Sequence, residues 1–258
     1  MNKVAKNAVW IIGIRVVQAV VAMLINMLTA RYLGPSGFGL ITYASSLVAF
    51  VLPIMQLGLC NVLVQEIVNN PNDEGKILGT SITLSFISSI CCIVGVTAFA
   101  FVANPDEPTT ILVCFLYSLI LIFQAFDYVE YWYQAKLMSK YTSMISLVAY
   151  IVVSIYKIFL LVNGKSVYWF AISNALDYVL ISSGGLLLYR KLGGSKLKFS
   201  IETGRMMFEK SKHYILSSMM VTVFAQTDKI MLKMMLNESA TGYYGAAVTC
   251  AGMTGFVF

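Results

Sequence analysis

Asp127 and Glu130 stand three residues apart in "FDYVEYWY", so a helix would carry both carboxylates on one face, with Gln124 and Gln134 in line. Paired carboxylates can do acid–base work, but no nucleophile, metal ligand or histidine accompanies them. The one histidine, His213, lies in a basic stretch much further along. Arg15, Lys157, Lys229 and Lys233 could hold an anion, since Arg grips phosphate bidentately and Lys acts as a point charge. Asp177 follows Asn174 by one turn, and Asp228 precedes Lys229 directly. On the first apolar segment, Arg15, Gln18, Ala22, Asn26 and Thr29 recur at steps of three and four and share a face.

These groups matter because of their surroundings. The 258 residues are 59% hydrophobic and 12% charged, with mean hydropathy +0.78. Soluble domains run near 45–50% apolar and about 25% charged, and a fold of this length still exposes roughly a quarter of its unfolded area. The composition therefore implies an integral membrane protein. An ionisable group at bilayer depth costs at least about 2.5–3.5 kcal/mol on insertion scales, so each one requires a reason. Cys60, Cys91, Cys92, Cys114 and Cys250 fall in or beside apolar segments without metal-ligand spacing, and read as small buried hydrophobes.

Runs long enough to cross about 30 Å of hydrocarbon lie at 8–30, 39–60, 77–103, 111–133, 142–162, 167–189 and 214–236. "MNKVAKNAVW" leads into an apolar run too long for a signal peptide and reads as the first membrane helix. An eighth run begins near Gly245 and stops at Phe258, as expected of a fragment of a longer protein. Short turns ("LGPSG", "NPNDEG", "NPDEP", "NGKS") join the segments. This divides the chain into a six-helix lobe at 1–189, a basic linker at 190–213, and an incomplete second lobe at 214–258 holding helix 7 and the start of helix 8. Twelve Lys and Arg fall in the connections on one side and only Arg31 and Lys165 on the other, so the N-terminus and the linker are expected to be cytoplasmic. The net charge of +6 is then largely a topology signal and calls for no nucleic-acid partner.

A weak repeat runs at an offset of 203. "ARYLGPSGFGLITYASS" from Ala30 and "KMMLNESATGYYGAAVT" from Lys233 align Leu33 with Leu236, Ser36 with Ser239, Gly39 with Gly242 and Ala44 with Ala247. Each is a turn opening an even-numbered helix, as a six-helix duplication would produce.

The stretch from Ala30 to Leu59, together with "YWYQAKLMSKYTS" at 131–143 and "QTDKIMLKMMLNESATGYYGAAV" at 226–248, resembles bacterial polysaccharide flippases. These form the polysaccharide transporter branch of the multidrug/oligosaccharidyl-lipid/polysaccharide exporter superfamily. The resemblance covers nearly all of this chain and about half of a usual member, which has two lobes. It implies an all-α protein of the bacterial inner membrane, not an enzyme, with neither cofactor nor metal. It would move polyprenyl-diphosphate-linked oligosaccharide (O-antigen, capsule or exopolysaccharide precursor) to the outer leaflet by alternating access. A coupling proton or sodium ion and a polysaccharide polymerase are the further partners it brings. A cation-coupled multidrug antiporter and a membrane enzyme of polysaccharide assembly are the competing readings.

For such a transporter the substrate-cavity candidates are Arg15, Gln18, Asn26, Lys157, Asn174, Asp177, Asp228 and Lys229. The helix 1 stripe either lines a wet cavity or forms a hydrogen-bonded helix interface. Asp177 is the deepest acid of the first lobe, with Arg15 one candidate partner, whereas Lys157 and Lys233 lie near a surface and could snorkel. Asp127 and Glu130 are candidates for a cytoplasmic gate or for ion coupling.

Overall fold

The computed structural model describes residues 3–254 of the protein, and the side chains of residue 13 and of 16–252. Every element within that range is helical. The first, α1 (Lys3–Gln56), has 54 residues. Drawn straight it would run about 80 Å, more than twice the hydrocarbon thickness. It turns at Gly34, whose φ of 68° and ψ of 176° suit a residue without a Cβ. Pro35 follows, in the first turn of the second arm, where no amide donor is needed. The two arms are the expected helices 1 and 2.

Next come α2 (Cys60–Asn69), after a break at Leu57 and Gly58, and α3 (Glu74–Ala103). The fourth crossing is segmented into α4 (Pro108–Ser118), α5 (Ile120–Gln124), a 3₁₀ turn (Ala125–Tyr128) and α6 (Val129–Ala135). Mid-helix 3₁₀ geometry often marks strain or a hinge, and here it falls on Asp127. α7 (Ser139–Val162), α8 (Val167–Lys191), α9 (Ile201–Met235) and α10 (Glu238–Thr254) complete the described chain. Among the described residues five stretches are long and apolar enough to cross a membrane, the first of them, Val16–Asn69, running from within the first arm of α1 through the second. α9 is not among the five: its first half is basic, and its second half holds Asp228, Lys229 and Lys233.

Two expected boundaries move. Residues 201–213 of the stretch read as linker are helical, because Ser200 caps α9 by accepting the Thr203 N–H and Glu202 sits in the first turn. A search for apolar runs passes over this polar start. Likewise α10 begins at Glu238 and not near Gly245, because the Asn237 side chain accepts the Ala240 N–H at 2.9 Å.

The remaining linker is docked. Lys198 N–H donates to the Gly75 carbonyl at 3.1 Å, and Ser200 N–H to Thr80 Oγ1 at 3.0 Å. Two buried carboxylates unremarked in the sequence anchor the same end. Glu74 pairs with Lys136 at 2.8 Å and accepts the Ser195 hydroxyl at 3.0 Å, while Glu66 pairs with Lys210 at 2.6 Å. Around them pack Leu59, Leu63, Ile77, Leu78, Trp132 and Met207. A second cluster, with Tyr43, Leu47, Val96, Val113 and Cys114, fills the end near Gly34. Cys92 and Cys114 are buried as expected, but Cys91 and Cys250 are exposed on helix faces, and all five thiols are free.

The linker needs Gly79, where a Cβ would stand 2.6 Å from the Lys198 carbonyl oxygen. Gly79→Val should lift 195–200 away from α3. Trypsin cleavage at Lys196 and Lys198 should quicken roughly tenfold or more, given that forced overpacking costs about 1–3 kcal/mol. Unchanged cleavage would refute the docking.

Candidate functional site

Both arms of α1, with α4, α7, α8, α9 and α10, line a cavity of about 370 Å³. The first arm contributes Ala22, Asn26 and Thr29, three consecutive members of the polar stripe, and the second contributes Thr42 and Ser45. α7 and α8 add Lys157, Asn174 and Asp177, α9 adds Lys229, and α10 adds Thr249. These three members of the stripe face the cavity. The stripe's period of three to four residues keeps Ala22, Asn26 and Thr29 on one side while Leu24, Met27 and Leu28 remain exposed on the other.

Lys157 does not snorkel. Its ammonium donates to Asn174 Oδ1 at 2.9 Å, and Asp177 stands within electrostatic reach one turn further along α8. Among the described residues the cation acting on Asp177 is Lys157; the Arg15 side chain lies outside them. Lys229 donates to Gln226 Oε1 at 2.9 Å. Thr29 Oγ1 and Asp177 Oδ1, both on lining residues, have no hydrogen-bond partner among the described residues.

Five of the eight cavity candidates (Asn26, Lys157, Asn174, Asp177 and Lys229) therefore meet in one place. Gln18 is not part of the lining, and neither is Asp228, which accepts from Tyr244 Oη and from the Lys229 N–H and so ties α9 to α10. Asp127 and Glu130 face a separate hollow of about 20 Å³, room for roughly one water, beside Tyr133, Thr142, Ser146 and Ser182. There Asp127 Oδ1 is buried without a partner among the described residues, while Glu130 accepts from Gln134. Sequence reasoning missed Tyr117 and Tyr150, which also line the main cavity. Nothing in their local pattern separates them from the other tyrosines of apolar helices.

The sequence model of one family, described as "Polysaccharide biosynthesis protein", matches residues 4–256. The chain belongs to this family. Neither a curated protein nor a solved structure matches it. Membership gives the polar cavity within an apolar fold a general setting, the making or export of polysaccharide.

At the end of the cavity near Gly34, Lys233 is buried and also does not snorkel. It pairs with Glu107 at 2.5 Å and lies 3.8 Å from Glu238 and 6.0 Å from the centre of the Tyr43 ring. The Lys233 hydrogen bond, with one from Thr110, holds the Glu107 carboxyl below its ordinary value of 4.5, against a smaller opposing effect of burial. Such a pair stabilises the fold fully above about 4.5 and is lost as pH falls through the lowered value. Because the Glu107 side chain is 44% exposed, water screens the pair and its contribution is about 1 kcal/mol or less. Melting temperatures of the parent and Glu107→Gln should differ at pH 7 and converge below pH 4. A gap that does not close on acidification would refute the assignment.

Proposed function

We propose that the protein is a transporter, moving lipid-diphosphate-linked oligosaccharide from the cytoplasmic to the outer leaflet. The observation carrying this reading is the cavity, with two lysines, Lys157 and Lys229, against one carboxylate, Asp177, among amide and hydroxyl groups. A diphosphate entering the membrane must exchange its hydration for fixed positive charge, and sugar hydroxyls need hydrogen-bonding walls. The unpartnered Thr29 and Asp177 oxygens are acceptors for such hydroxyls. A polyprenyl tail could stay in lipid. A multidrug antiporter would favour an excess of acids in the cavity.

The Lys and Arg asymmetry supports a cytoplasmic N-terminus and linker, so the Gly34 end is outer. The 203-residue repeat supports a division into lobes that rock against each other. Asp127, with its buried unpartnered oxygen on a 3₁₀ turn, is the better candidate for binding a coupling proton or sodium ion.

Cells lacking the protein should accumulate lipid-linked repeat units facing the cytoplasm. Normal appearance of those units in the outer leaflet would refute the reading. Lys157→Gln and Lys229→Gln should each slow transport about 10- to 100-fold, since a charged hydrogen bond is worth roughly 1.5–3 kcal/mol. Asp127→Asn should instead leave cargo binding intact and remove the dependence of transport on the ion gradient. Equal, mild losses in all three variants would exclude these roles.

A further inference from the structure

The two glycines aligned by the repeat, Gly39 and Gly242, lie against each other. A Cβ on Gly39 would stand 3.0 Å from Gly242 N and overlap the Glu238 carbonyl oxygen. A Cβ on Gly242 would stand 3.1 Å from Gly39 N and overlap the Pro35 carbonyl oxygen. Pro35 and Glu238 are themselves 203 residues apart, so each arm meets the other through the same atoms. The second arm of α1 and α10 therefore cross backbone to backbone about a local two-fold axis, with no side chain between the two glycines.

Polar groups clasp this crossing on one side. Ser36 Oγ donates to Glu238 Oε2 at 2.5 Å, and Lys233 bridges Glu238 to Glu107 in the α3–α4 turn. Asn104, in the same turn, donates to the Tyr43 hydroxyl at 3.3 Å. The clasp borders a polar hollow of about 400 Å³ lined by Asn104, Glu107, Lys233, Asn237 and Glu238. On the other side of the crossing lies the main cavity, lined on α1 by Phe38, Ile41, Thr42 and Ser45 and on α10 from Gly245 onward. The crossing thus stands between two polar spaces and separates them.

We propose that the Gly39–Gly242 crossing, locked by Lys233, Glu107, Glu238 and Ser36, is the outer seal of the cavity. The contact is backbone-tight, so it admits neither ion nor sugar while it holds. At Gly39 and Gly242 the contact is backbone on backbone, and one turn on the Thr42 side chain seats against Gly245, so the two helices part when the polar clasp and this small contact are released. This assignment rests on the transporter reading for its purpose and on the lysine–arginine asymmetry for which side is outer, but the barrier itself is a matter of geometry.

The test uses Thr249→Cys, a position in the cavity wall on α10, in a chain whose five native cysteines are replaced by serine. Right-side-out and inverted membrane vesicles are exposed to a bulky membrane-impermeant maleimide. From the outer side labelling should be slow, and Gly242→Leu should raise its rate at least about fivefold, because a closed state leaves roughly 10% or less open. Glu107→Gln, which removes only the clasp charge, should raise it by a smaller but measurable factor. It decides the matter if the leucine variant fails to accumulate. Outer-side labelling as fast in the parent as in the variants would overturn the seal, as would no rise in either. The readout needs no cargo. A protein that passes it yet moves no lipid-linked saccharide keeps its seal and loses the transport reading. One that moves the saccharide and fails it loses only the seal.

Discussion

Two helices can approach backbone to backbone only where neither carries a Cβ, and the rest of this structure depends on that contact. In lipid the hydrophobic effect contributes little to helix association, so close approach and interhelical hydrogen bonds hold the bundle. At Gly39 and Gly242 the approach is as tight as backbones allow, and the groups around it (Ser36, Glu107, Lys233 and Glu238) are those able to bond across it. The crossing fixes the distance between the second arm of α1 and α10. That distance in turn fixes how wide the cavity opens between them, because Thr42, Ser45, Gly245 and Thr249 lie on the same two helices. A bulkier pair here would move the wall on which the site is built.

The opposite end is organised by charge. Glu66 and Glu74 are almost fully buried, and each needs the cation that the chain supplies from a distance, Lys210 and Lys136 respectively. Breaking such a pair leaves an uncompensated buried charge, so these contacts act as constraints on register more than as sources of net stability. Lys210 thereby holds the first turns of α9 against α2, Lys136 holds the α6–α7 turn against α3, and the Ser195 hydroxyl on Glu74 adds the linker to the same point. α9 therefore contributes to both ends: its start is anchored by Ser211 and Lys210, and its far end by Lys233.

The all-helical membrane class was legible because runs of about twenty apolar residues have few alternatives in a bilayer. The helix 1 stripe was legible for a related reason, since a polar face at a period of 3.6 cannot be given to lipid. What could not be read was which distant residues meet. Lys157 and Lys233 sit near helix ends, where a long aliphatic stem can carry the charge to water. Only the positions of Asn174 and Glu107 show that both turn inward. The starts of α9 and α10 were missed because capping by Ser200 and Asn237 is a local polar signal that a hydropathy window averages away. Tyr117 and Tyr150 depend wholly on tertiary placement.

The repeat joins these points. Four aligned residues in a compositionally narrow protein are weak evidence of duplication, and composition alone could produce them. That objection loses force once Gly39 and Gly242 make reciprocal contacts through Pro35 and Glu238, because chance similarity does not place aligned residues on an axis relating them in space. Symmetry also explains why both turns must open with small residues: each is the other's surface. The clasp, by contrast, is asymmetric, since the repeat aligns Lys233 with Ala30 and Glu238 with Pro35, neither of which carries a charge. A symmetric contact supplies the closeness, and an asymmetric set of charges decides when it holds.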